Sequence, residues 1–75
     1  MSERQFIIVK NLFIKLNLQH PQAINNYSYK LNLLNNLKAT NGKIEWKEVK
    51  NILGKDNSIT IFNALQKSEK HNYLQ

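Results

Sequence analysis

The sequence predicts an all-α fold, a small compact bundle of about four helices containing a helix-turn-helix-like unit. Three observations carry that prediction. Apolar residues recur at spacings of three and four through most of the 75-residue chain, which is the period of one helix face. The single Pro and the two Gly fall between the periodic segments, where they act as breaks. Leu, Ile, Val and Phe supply 23 residues, well above the roughly 20% below which a charged chain stays disordered. One small domain follows, with residues 1–20 as an N-terminal amphipathic helix and 22–70 as a three-helix unit.

In the first segment Phe6, Val9, Phe13 and Leu16 form a helical stripe. Leu12, Ile14, Leu16 and Leu18 also alternate, and Ile7-Ile8-Val9 is β-branched. Residues 5–18 therefore stay open between a helix, favoured by the segment's length, and a strand. The second segment is clearer. Pro21 suits a helix first turn, Ile24, Tyr27, Leu31, Leu34 and Leu37 continue one stripe, and Asn41-Gly42 stops it. Ile44, Trp46, Val49, Ile52 and Leu53 mark a short third helix, closed by Gly54 in a left-handed turn. Asp56, Asn57 and Ser58 offer N-cap oxygens to a fourth. Its inner stripe reads Ile59, Phe62 and Leu65 with Ile61 beside it, and Thr60, Asn63, Lys67 and Lys70 point elsewhere.

Charge narrows the partners. Eleven Lys and Arg against five Asp and Glu give a formal net charge of +6. Between Glu3 and Glu45 there is no acidic residue, while Arg4, Lys10, Lys15, Lys30 and Lys38 all fall there. Such a balance attracts phosphate or an acidic protein surface, and it serves equally as a solvated face.

Several chemistries find no support. The chain has no Cys, which excludes disulfides, thiolate metal sites and cysteine nucleophiles. His20 and His71 are far apart and lack acidic neighbours at helical spacing, so no metal-ligand set is expected. Gly42 and Gly54 are too far apart for a phosphate-cradling loop. No apolar run reaches the roughly 18 residues that cross a bilayer. We expect no enzyme activity, no cofactor, no small-molecule substrate, no membrane association and a cytoplasmic location, nucleoid-associated if the chain binds DNA.

The informative stretch is Gly42 to Lys70, which reads as a short helix, a tight turn and a second helix opening on polar residues. In a helix-turn-helix the first helix braces the second, whose N-terminal side chains meet base edges in the major groove. Asn63 has the amide that pairs with adenine, and Asn57, Ser58 and Thr60 have the polar groups that reach bases or phosphate. Lys55, Lys67 and Lys70 are the candidate phosphate neutralisers. The same residues also read plainly as structure, with Ser58 an N-cap and Thr60, Asn63 and Lys67 an exposed polar face. The apolar first segment supplies a candidate partner-binding stripe, Phe6, Val9, Phe13 and Leu16, for a homodimer or another protein.

Glu48-Val49-Lys50-Asn51-Ile52-Leu53-Gly54 with its following capped helix resembles the helix 2 to helix 3 region of winged-helix regulators, with Lys50 where that family carries a small residue. Tyr27, Trp46 and Leu65 also fall at an interval similar to that of the bulky residues in Myb-like three-helix domains, with Gly42, Val49 and Leu53 at matching offsets. Both resemblances imply three helices in helix-turn-helix geometry and binding to double-stranded DNA. The expected function is that of a small basic DNA-binding regulator, of transcription or of a mobile element. The alternative is a helical adaptor or inhibitor that binds another protein.

Overall fold

A computed structural model describes residues 1–74, with side chains through residue 69. Four α-helices follow in order: α1 (Glu3–Gln19), α2 (Tyr27–Asn36), α3 (Trp46–Leu53) and α4 (Lys55–Leu74), with a 3₁₀ turn at Pro21–Ala23 between α1 and α2. The all-α class holds, and the open choice for residues 5–18 resolves as helix.

Helix α1 starts where it does because of a capping box. The Ser2 side chain accepts a hydrogen bond from the Gln5 backbone N–H, and the Gln5 side chain accepts one from the Ser2 N–H. Two of the helix's unpaired donors are thereby satisfied. The Gln5 amide also donates to Glu69 Oε1 at 2.7 Å, so one residue both caps α1 and ties it to α4. Helices α1 and α4 form the most extensive packing in the molecule. The sequence division at residue 20 therefore does not separate two packing units, and one core spans both.

Helix α2 departs from its expected start. Pro21 opens only a 3₁₀ turn, and Asn26 then takes a left-handed conformation (φ 56°, ψ 45°) before α2 begins at Tyr27. Ile24 still reaches the core, from an extended residue rather than a helical one. The periodic stripe hid this break because Ile24 and Tyr27 lie on the buried side with or without a continuous helix. Tyr27 stacks on Phe13, with ring centroids 5.2 Å apart. Asn41 and Gly42 both take positive φ in a tight turn closed by mutual Thr40 and Lys43 backbone bonds. That turn brings Lys43-Ile44 alongside Met1-Ser2, where the Ile44 N–H donates to the Met1 carbonyl at 2.7 Å.

The core comprises Met1, Phe6, Val9, Phe13, Ile24, Leu34, Ile44, Val49, Leu53, Ile61 and Leu65. The partner-binding stripe expected on α1 does not lie at the surface. Phe6, Val9 and Phe13 are core residues and offer no surface to a partner. Leu16 packs half-buried against the same core. All four lie on the face of α1 turned toward the interior, where burying an aromatic or aliphatic side chain contributes about 1.5–3 kcal/mol. The outward apolar residues of α1 are instead Ile7 and Leu18.

Candidate nucleic-acid interface

Gly54 alone separates α3 from α4. Its backbone (φ 86°, ψ 163°) lies outside the left-handed helical region expected from the sequence, in a region that essentially only Gly occupies. With one residue between them, the ends of the two helices share hydrogen-bond partners. The Gly54 N–H donates to the Lys50 carbonyl at 2.9 Å, which the Ser58 hydroxyl also reaches at 3.3 Å. The Asn57 amide donates to the Leu53 carbonyl at 3.2 Å. Asn57 and Ser58 thus satisfy carbonyls at the end of α3, where a helix leaves its last acceptors unpaired.

Asn57 and Ser58 are thereby not the N-caps that the sequence suggests, and one stripe moves. Ser58 is buried and Asn57 half-buried, and with α4 beginning at Lys55 they sit inside its first turn rather than capping it. Both side chains direct their donors at α3 carbonyls. The buried stripe of α4 is Ser58, Ile61 and Leu65, shifted by one residue from the expected Ile59, Phe62 and Leu65. Ile59 consequently faces outward and is 54% exposed, and Phe62 is half-buried. Both stripes fit a helix face, at spacings of three and four for Ser58, Ile61 and Leu65 and of three and three for Ile59, Phe62 and Leu65, and the inward Ser58 is the one whose hydroxyl bonds to α3.

The remaining candidates stay outside. Lys55, Thr60, Asn63 and Lys67 are all exposed; the Lys70 side chain lies outside the described residues. The Thr60 hydroxyl donates to the Asp56 carbonyl one turn back at 3.2 Å, a local bond that leaves its lone pairs free. A groove of about 550 Å³ opens between α3 and α4, lined by Lys50, Asn51, Lys55, Ser58, Ile59, Phe62 and Asn63. Among the described residues, no carboxylate lines it. The Lys50 ammonium sits 5.9 Å from the centre of the Phe62 ring, and Trp46 meets the same ring edge-on at 5.2 Å. Trp46 remains 38% exposed.

The fold adds one cation that the sequence did not assign to this site. The Lys30 ammonium of α2 lies 4.0 Å from where a Cβ on Gly54 would stand. Lys30 belongs to the acid-free N-terminal half, so part of that half's basic surplus is delivered to the α3–α4 turn. Lys50 was likewise missed as a site residue; its signal was the lysine standing where the winged-helix pattern has a small residue. Here it is exposed, with its ammonium over the Phe62 ring of α4.

Among the described residues, no group of three or more His, Asp or Glu lies together in a way that could hold a metal ion, and no helix is long and apolar enough to cross a membrane. No family model, curated protein or solved structure matches the chain.

Proposed function

We propose that this chain is a small, non-enzymatic DNA-binding protein that engages double-stranded DNA through the face shared by α3 and α4. The observation that carries the reading is the acid-free groove wall, where Lys50, Lys55 and Asn63 converge, with exposed Thr60 and Lys67 continuing along α4. Lysines bind duplex DNA by releasing its condensed counterions, and an amide beside them supplies the base-edge chemistry. An α-helix fits the major groove of B-DNA, and α3 with its one-residue turn braces α4 against the core for that task. The site needs no catalytic group and uses none.

Electrophoretic mobility shift across a salt series tests this. Affinity should fall steeply as salt rises, and Lys67→Gln should weaken binding to all sequences alike, lowering the salt slope by about one. Absence of binding at low salt, or binding indifferent to salt, refutes the reading.

A second reading is a protein adaptor. It is favoured by the exposure of Ile7 and Leu18 on α1, at 54% and 75%, since outward apolar side chains on one helix suit a homodimer or another protein. Sedimentation velocity separates the two: a strict monomer at high concentration, with DNA bound, leaves the adaptor reading without support.

A further inference from the structure

Among the described side chains of α4, Ile59 is the large apolar one that the core does not use. It is 54% exposed while Ser58, Ile61 and Leu65 around it are buried. A β-branched side chain at an exposed helix position is also a poorer helix former than Ala. Departures of this kind from local preference concentrate at functional sites. Ile59 does not stand alone on a polar surface, because it lines the groove with Asn63 one turn further on and with Lys50 and Lys55.

Resting on the DNA reading above, we propose that Ile59 and Asn63 form a readout pair for A·T base pairs. Adenine presents an acceptor (N7) and a donor (the N6 amino group) on its major-groove edge, which a carboxamide matches with its own donor and acceptor. Thymine presents the one methyl group on any major-groove edge, and an exposed apolar side chain such as the sec-butyl group of isoleucine is a natural contact for it. Four residues of α-helix rise about 6 Å, close to two base steps of about 3.4 Å each. Ile59 and Asn63 therefore meet base pairs about two steps apart, while Lys50 and Lys55 meet phosphates. The acid-free lining is complementary to a polyanion, and the residue spacing matches the repeat of a duplex.

The test compares two short duplexes of one A·T-rich sequence, one containing thymine and the other deoxyuridine, which differ only in the methyl groups. Fluorescence anisotropy with the full chain should show tighter binding to the thymine duplex, by about fourfold for each methyl buried. Ile59→Ala, which circular dichroism should show to be folded because the side chain is exposed, should bind both duplexes alike. Asn63→Ala should keep the thymine preference, and its discrimination of deoxyuridine-containing A·U duplexes from G·C duplexes should be lost, because only the adenine contact distinguishes those. Equal affinity of the unmodified chain for the thymine and deoxyuridine duplexes, with salt dependence intact, overturns the readout pair and leaves DNA binding standing. Equal affinity combined with ready displacement of DNA by poly-L-glutamate overturns it in favour of an acidic protein partner. A chain that binds neither duplex at low salt removes the DNA reading and the pair with it.

Discussion

Single residues in this small domain carry more than one duty, and the α3–α4 turn shows it best. Gly54 holds a backbone conformation that a side chain resists, although a Cβ there would touch nothing closer than the Lys30 ammonium at 4.0 Å. The cost of Gly54→Ala is therefore backbone strain and not collision. We expect a loss of about 1–3 kcal/mol in urea unfolding, with no gain in affinity for any ligand. The Gly itself was legible in the sequence as a stop for the third helix. What Asn57 and Ser58 do was not: a polar residue near a helix start reads as a cap or a contact, and only the position of the preceding helix's carbonyls turns both inward.

At the scale of elements, the ends of the helices decide more than their periodic interiors. Helix α1 depends on the reciprocal Ser2–Gln5 cap, so Ser2→Ala should cost about 1 kcal/mol of stability. Thermal unfolding followed by circular dichroism measures it. The start of α2 depends on Asn26 in the left-handed region. Asn26→Gly should be nearly neutral, whereas Asn26→Val should destabilise by more than about 1–2 kcal/mol, because a β-branched residue fits that region badly. Equal stability of the two variants would show that the break between the 3₁₀ turn and α2 is not held by this residue. The apolar stripes of α1 and α2 were readable because period specifies them; the register of α4 was not, nor was the break at residues 24–26, because the same residues face the core on either path.

On the scale of the whole molecule, the question is where a net charge of +6 comes together. The sequence puts most of the surplus before residue 44 and the recognition-like helix after it, which separates charge from site. The fold partly removes that separation by bringing Lys30 of α2 to the turn between α3 and α4. Lys30→Gln should accordingly weaken duplex binding without changing sequence preference, and lower the salt slope by about one. A salt slope unchanged by this substitution would place Lys30 outside the contact.

The sequence by itself determined the helical class, the number of helices and most of the core, because those follow from hydrophobic period and from the placement of Pro and Gly; it did not set the limits of α2, which starts at Tyr27 and ends at Asn36, short of the Asn41-Gly42 stop. The tertiary structure decided which polar residues remain available. It took Asn57 and Ser58 for the end of α3, took Phe6, Val9 and Phe13 for the core, and left Ile59 outside beside Asn63. The physical reason is that a hydroxyl, an amide or an apolar side chain is indifferent between solvent, neighbour and ligand until another element arrives to satisfy or bury it.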